Sequence, residues 1–232
     1  MKALDITKHK THLTNILINV FKNSVLSSAL GFKGGTAAML FYKLPRFSVD
    51  LDFDVVGEIG GVTNQMTKLL SSRYEIKDHS SKFKTLFWMV SYGTGLAKIK
   101  IEISTRNNPY NHYNLMPFYG VTVKTLDISD MIAHKLVAVT ERTRIANRDL
   151  FDIHYFLGSP YSADINYEII KLRTGKTPRE FYESLLNFVS DINPETILTG
   201  LGEVLTGPQK DWAKAKLIPE LDGLIKRMID LS

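Results

Sequence analysis

The chain has 232 residues, of which 44% are hydrophobic and 23% are charged, with a formal net charge of +5. This composition is that of a globular protein, so it excludes a disordered or fibrous chain and allows one large domain or two small ones. No run approaches the roughly eighteen consecutive apolar residues of a membrane-spanning helix, so no membrane is expected as a partner. The absence of cysteine and of an apolar signal core favours the cytoplasm, and the positive charge allows a polyanionic partner without requiring one.

The first predicted element is a helix over about residues 6–30, where apolar residues recur at helical spacing and Gly31 would end the helix. Gly34, Gly35 and Thr36 follow, ahead of an apolar run that Pro45 closes. This pattern is typical of a backbone nest that opens a short helix and offers N–H groups to phosphate. Glycine pairs are also ordinary turn residues, so the pair alone does not decide between a turn and a phosphate site.

Three acids come next: Asp50, Asp52 and Asp54 alternate with Leu51 and Phe53. Successive side chains of a strand point to opposite faces, so a strand here would place all three carboxylates on one face. Such like charges repel unless a cation lies between them, and an all-oxygen cluster suits Mg²⁺. The alternative is a solvated edge strand whose polar face lies in water.

Beyond a loop at residues 57–61, the pattern predicts a helix over 62–72 and strands over 73–79, 83–92 and 96–104. The turn at residues 93–95 would join the last two strands as a hairpin. In the third strand Glu102 faces away from the isoleucines at alternating positions. Glu102 could be a site residue or a surface glutamate paired with Lys100 or Arg106.

Residues 105–120 are rich in asparagine, tyrosine and proline, which predicts a long ordered loop. Its tyrosines Tyr110, Tyr113 and Tyr119 could stack on a base or pack on their own domain.

From residue 127 the pattern becomes helical, with helices predicted over 127–143, 147–157, 164–173, 178–189, 194–205 and 210–230. Lys135 lies beside an apolar helix face, where a lysine can simply extend to solvent. Asp149 and Asp152 are three residues apart on one helix face, and Asp149 could instead form a salt bridge with Arg148 or Arg144.

These features together resemble a known family. Gly34-Gly35-Thr36 followed by Arg46-x-Ser48-x-Asp50-x-Asp52 resembles the first motif of the polymerase-β-like nucleotidyltransferases, in the branch of the AbiEii-type toxins of abortive-infection and toxin–antitoxin systems. Lys135-Leu136 and Arg148-Asp149-x-x-Asp152 are similar to the later motifs of that branch. The resemblance runs from about residue 30 to about 157. The chain departs from the pattern in Gly34-Gly35, where many relatives have Gly-Ser, and in the extra acid Asp54.

The resemblance implies an α/β (α+β) fold: a nucleotidyltransferase core with a mixed sheet over residues 1–125, and an all-helical C-terminal domain over 126–232 that completes the active-site cleft. It implies transfer of a nucleoside monophosphate from an NTP substrate to an acceptor. The metal ligands for two Mg²⁺ ions would be Asp50, Asp52 and Glu102, and Lys135 and Asp149 would also be catalytic. The nucleotide would be bound by Gly34, Gly35, Thr36, Arg46, Ser48 and Lys135.

The resemblance further implies partners. An RNA acceptor, with tRNA favoured, and a cognate antitoxin protein are expected. The alternatives are a nucleotide-binding regulatory module without transferase activity, or transfer to a protein acceptor.

Overall fold

The computed structural model of the chain describes residues 5–142 and 146–232. The chain forms two compact units, one that ends at Asp127 and one from Ile128 to Ser232. Strands occur only in the first unit among the described residues. Within the same ranges, no helix is both long enough and apolar enough to cross a membrane.

The first unit is built on one seven-stranded sheet, in the order β3-β4-β5-β2-β1-β7-β6. The strands are β1 (Leu30–Lys33), β2 (Leu51–Val55), β3 (Glu75–Lys82), β4 (Thr85–Ser91), β5 (Lys98–Ser104), β6 (Tyr113–Phe118) and β7 (Val121–Leu126). The β2–β5 and β1–β7 pairs are parallel and the other pairs are antiparallel. The predicted mixed sheet is therefore confirmed, and so is the β4–β5 hairpin.

The helices of this unit are α1 (Ile6–Lys22), α2 (Ser24–Ala29), α3 (Gly34–Phe41) and α4 (Val62–Ser71). The single helix predicted over 6–30 is wrong, because Asn23 divides it and β1 begins at Leu30. Asn23 has an extended backbone and its side chain accepts the main-chain N–H of Leu26 at 3.0 Å, which caps the start of α2. A break of one residue hardly changes apolar spacing, so periodicity could not reveal it.

One face of the sheet is the core of the unit. Alternate residues of β2 and β5 are fully buried on it: Leu51, Phe53, Ile99, Ile101 and Ile103. Helix α4 covers β4 on this side, where Trp88 Nε1 donates to Thr67 Oγ1 at 3.0 Å. The alternation of the strands therefore directs Asp52 and Glu102 to the opposite face.

The long loop predicted over 105–120 is wrong in its second half, which forms β6 and the turn into β7. Tyr119 and Gly120 have φ of 43° and 81° and form a two-residue turn between the two strands. Strand β6 lies at the edge of the sheet. An edge strand tolerates polar side chains and proline, here Pro117, so composition alone indicated a loop.

The second unit consists of helices in its described residues: α5 (Ile128–Glu141), α6 (Asn147–Leu157), α7 (Tyr167–Thr174), α8 (Pro178–Ser190) and α9 (Gly207–Asp230). The helix predicted over 194–205 is wrong, since this segment forms only the short 3₁₀ turns Pro194–Thr196 and Gly202–Val204. Gly200 between them has φ of 69°, a left-handed conformation that an α-helix does not contain.

Candidate active site

The turn from β1 into α3 lies against the carboxylate of Asp52. Gly34 has φ of 79°, and a Cβ atom at this position would lie 2.2 Å from Asp52 Oδ2. Only glycine therefore allows the helix to start this close to the acid. The two features that the sequence suggested separately, a phosphate nest and an acidic strand, are in contact.

The next glycine lies against two more of the predicted nucleotide-binding residues. A Cβ atom at Gly35 would lie 2.9 Å from Ser48 Oγ and 3.0 Å from Arg46 Nη2. Both side chains are buried, and Arg46 Nη1 donates to the Phe47 carbonyl at 3.0 Å. The start of α3, where main-chain N–H groups carry partial positive charge, is thus bordered by a hydroxyl and a guanidinium.

Thr36 has a different environment from the one expected for a phosphate ligand. It is fully buried, and its hydroxyl donates to the main-chain carbonyl of Asp50. The hydroxyl therefore holds the chain at the first acid, and a role of Thr36 in phosphate binding depends on its main-chain N–H.

The acids predicted as metal ligands lie where β2 and β5 run side by side. Asp52 is directly opposite Glu102 in the parallel pair, where strands are about 4.8 Å apart and opposed side chains share a face. Glu102 is exposed, and in the described part of the chain it forms no ion pair with Lys100 or Arg106. Asp50 is half-exposed and immediately precedes β2.

The extra acid, Asp54, is neutralised inside the protein. Its carboxylate is 2% exposed, lies 2.6 Å from Lys33 Nζ and accepts the Tyr113 hydroxyl at 2.8 Å. Asp54 shares a strand face with Asp52, as the alternation predicted, but these contacts make it a structural residue. The position of Tyr113 also shows that this ring packs on its own domain.

His9 is a residue of this region that sequence analysis missed. It is fully buried in α1, with Nε2 2.9 Å from the Val49 carbonyl oxygen and Nδ1 2.9 Å from the Tyr92 hydroxyl. Burial lowers the pKa of His9, so the neutral ring donates from Nε2 to Val49 and accepts from Tyr92 at Nδ1. Together with Thr36, His9 fixes the main chain on both sides of the Val49–Asp50 bond. A histidine in an amphipathic helix carries no sequence signal for this role.

The donor set of the acids fits a magnesium ion. Among residues 5–142 and 146–232, no three carboxylate, imidazole or thiol side chains converge on one point. Mg²⁺ does not need such a cage, because it commonly binds through one or two carboxylates and completes its shell with water and substrate phosphate. Asp52 and Glu102, with Asp50 two residues before Asp52, are the residues that would provide such a partial shell.

The second unit contains its own charged cluster. Lys135 Nζ lies 3.0 Å from Asp149 Oδ1 and 2.7 Å from Asp152 Oδ2, and both acids are buried. Arg142 Nε is 3.3 Å from Asp149 Oδ2, close enough for an ion pair but without hydrogen-bond geometry. Lys135 therefore does not simply extend to solvent.

Among the described residues, Asp149 has two cationic partners, and Arg148 is not one of them. Its cationic contacts are with Lys135 and Arg142, while Arg144 lies outside the described residues. Asp152, fully buried, makes the shorter contact with Lys135. Its carboxylate therefore holds the ammonium group of Lys135 in one orientation.

A glycine turn at a helix start beside a strand carboxylate, with a second acid on the neighbouring parallel strand, suits an enzyme that binds the phosphates of a nucleotide. A family model described as "Nucleotidyl transferase AbiEii toxin, Type IV TA system" matches residues 15–217. The chain therefore belongs to the AbiEii nucleotidyltransferase toxin family. The resemblance based on the motifs is confirmed, and the match extends beyond the motifs on both sides.

Solved structures share the fold of this chain. A candidate nucleotidyltransferase from Helicobacter pylori superposes with a TM-score of 0.67 at 23% identity, covering 99% of this chain and 97% of that one. The H. pylori protein JHP933 gives 0.66 at 23% identity, with 99% and 94% covered. An antigenic nucleotidyltransferase-like protein from Paracoccidioides brasiliensis gives 0.53 at 16% identity, with 84% and 93% covered. The comparison with curated proteins found no match.

Proposed function

We propose that this nucleotidyltransferase moves a nucleoside monophosphate from an NTP to an RNA acceptor, with tRNA favoured, in a reaction that depends on Mg²⁺. The observation that carries the proposal is the contact between the α3 start and Asp52, with Glu102 opposite the same acid. Main-chain donors for phosphate and carboxylates for metal lie within one small patch, as a metal–triphosphate substrate requires.

In the proposed reaction an acceptor hydroxyl attacks the α-phosphorus of the NTP. The new O–P bond forms, the α–β phosphoanhydride bond breaks, pyrophosphate leaves and the hydroxyl loses its proton. Mg²⁺ held by Asp50, Asp52 and Glu102 would supply the charge that activates the hydroxyl and stabilises pyrophosphate. The N–H groups at Gly34 and Gly35 would orient the phosphates.

The other groups of the chain would act by position and charge. Arg46 and Ser48 border the phosphate-binding turn, whereas Thr36 and His9 keep the main chain at Asp50 in place. In the second unit, Lys135 would offset negative charge on the triphosphate. Asp149 would position the acceptor or take its proton.

The proposals for the acceptor and the biological role are supported by charge and family. A net charge of +5 is compatible with RNA, and the family is that of a type IV toxin–antitoxin system. We therefore propose that the chain is the toxin of such a pair, acts in the cytoplasm and has a cognate antitoxin.

The direct test is to incubate the purified protein with each labelled NTP and total cellular RNA or protein, with and without Mg²⁺. Label should enter RNA only with metal, and Asp52→Ala should abolish it. Asp78→Ala is the matched control, because it removes an exposed acid from β3 of the same sheet and should keep full activity. Label in protein instead of RNA would refute the acceptor, and unchanged transfer by Asp52→Ala would refute the site.

A growth assay tests the toxin role separately. Expression of the chain alone should slow growth of the host, and Asp50→Ala should relieve the effect. Normal growth of cells that contain active enzyme would refute the toxin role and leave the chemistry standing.

A further inference from the structure

The β3–β4 hairpin ends in a turn that its residues do not favour. Lys82 pairs with Thr85, so Phe83 and Lys84 form a two-residue loop, with φ of 51° and 61°. Turns of this kind prefer Asn-Gly, since both positions are left-handed. A bulky aromatic residue in this conformation is strained, and such strain commonly marks a functional position.

The ring of Phe83 contributes nothing to the core. It is 89% exposed, more than any other large hydrophobic side chain in the described residues. An isolated exposed apolar residue is common, so exposure alone is not informative. Exposure combined with a strained backbone is a more specific observation.

Three cationic residues lie in or next to this turn. Lys82 and Lys84 flank it in sequence, and the Thr105 N–H donates to the Lys84 carbonyl at 2.9 Å, which brings Arg106 beside the turn. All three side chains are exposed, and none forms an ion pair within residues 5–142 and 146–232. An aromatic ring among unpaired cations is the usual platform for single-stranded nucleic acid, where a base stacks and phosphates meet the charges.

The turn is also close to the carboxylates of the site. Phe87 lies opposite Glu102 in the β4–β5 pair, and Lys84 precedes Phe87 by three residues. At about 3.3 Å per residue, the turn is roughly 10 Å along the strand from Glu102. A strand of RNA bound at the turn would therefore have its neighbouring nucleotides within reach of the acids.

We propose that the Lys82–Lys84 turn binds a single-stranded segment of the RNA acceptor, with one base stacked on Phe83 and phosphates at Lys82, Lys84 and Arg106. This rests on the proposed function for its RNA acceptor. It adds the surface that binds the acceptor, which neither the motifs nor the family assign.

The sharpest variant is Phe83→Asn combined with Lys84→Gly, which installs the residues that the turn prefers. It should raise the melting temperature and yet weaken binding of a fluorescein-labelled single-stranded ribo-oligonucleotide by at least about tenfold to a hundredfold, because the stacked base is lost together with the phosphate contact of Lys84. Binding that falls while stability rises cannot be ascribed to misfolding. Phe83→Tyr keeps a ring and should retain affinity.

Tyr119→Ala provides the matched comparison. Tyr119 is 77% exposed and also has positive φ at a two-residue turn, but Phe118 and Gly120 flank it in place of lysines. The Tyr119 ring already packs against Phe118, with ring centroids 4.8 Å apart, so Tyr119→Ala should leave RNA affinity unchanged. Lys82→Gln should lower the slope of log affinity against log salt by about 0.7, the value for one phosphate contact in a single strand.

Kinetics separate this proposal from the proposed function. Phe83→Ala should raise KM for RNA and leave kcat and KM for NTP unchanged. If the wild-type chain labels RNA and Phe83→Ala keeps the wild-type KM for RNA, the turn is not the binding surface, although the reaction stands. If the wild-type chain fails to bind the oligonucleotide, or if the variants affect only labelling of a protein, the proposal is overturned.

Discussion

Replacing Gly34 by alanine should inactivate the enzyme through Asp52. The added Cβ would lie 2.2 Å from Asp52 Oδ2 and 2.8 Å from its Cγ. The substitution also places a side chain on a left-handed backbone, at φ of 79°. The steric contact and the backbone strain can be separated, because another glycine of the chain has a left-handed backbone without such a contact.

That glycine is Gly120, which has φ of 81° and where an added Cβ atom would meet no other atom within 4 Å. Both alanine variants should lose about 1–2 kcal/mol of unfolding free energy from the left-handed backbone. Only in Gly34→Ala must the carboxylate of Asp52 also retreat, by roughly 1 Å, to reach ordinary contact distance. A displacement of that size among reacting groups lowers the rate by about 10²-fold.

The assay compares wild type, Gly34→Ala and Gly120→Ala by denaturant unfolding, Mn²⁺ binding and turnover with labelled NTP. We expect Gly34→Ala to lose metal affinity and about 10²-fold in turnover, while Gly120→Ala loses stability alone. Equal turnover in the two alanine variants would show that Asp52 is not a reacting group or that the turn adapts freely. Either result would refute the argument from the Gly34 contact.

Three further predictions concern single charged groups. Lys135→Ala should lower turnover per folded molecule by about 10²-fold, and a change in melting temperature with normal turnover would mean that Lys135 only packs. Asp54→Asn should lower the unfolding free energy by about 1–3 kcal/mol in denaturant titrations, because half-buried Lys33 loses its partner, yet turnover per folded molecule should persist. Burial lowers the pKa of His154 despite its hydrogen bond to Glu220, so between the folded and unfolded pKa values the unfolded chain binds more protons. The unfolding free energy should therefore fall as pH drops below about 6.5, and less so in His154→Gln, which pH-dependent unfolding would check.

The secondary structure around the site could be predicted from residues that are neighbours in the sequence. The alternation of Asp52 with Leu51 and Phe53 correctly predicted a strand with a buried face, and the glycine pair correctly predicted a helix start. The helix predicted from residue 178 is α8, which begins at Pro178. These features depend on neighbours along the chain, so they are present in the sequence itself.

Other features depend on residues far apart in the chain, and the sequence alone did not determine them. The position of β6 at the edge of the sheet allowed a strand despite its loop-like composition. A single capping residue, Asn23, divided the predicted first helix. The register of β2 against β5 placed Glu102 opposite Asp52, while Lys33 neutralised Asp54. The sequence by itself determined which acids and glycines were available. Only tertiary packing decided which carboxylate is buried with a cation and which faces solvent, because ion pairing and burial depend on neighbours in space.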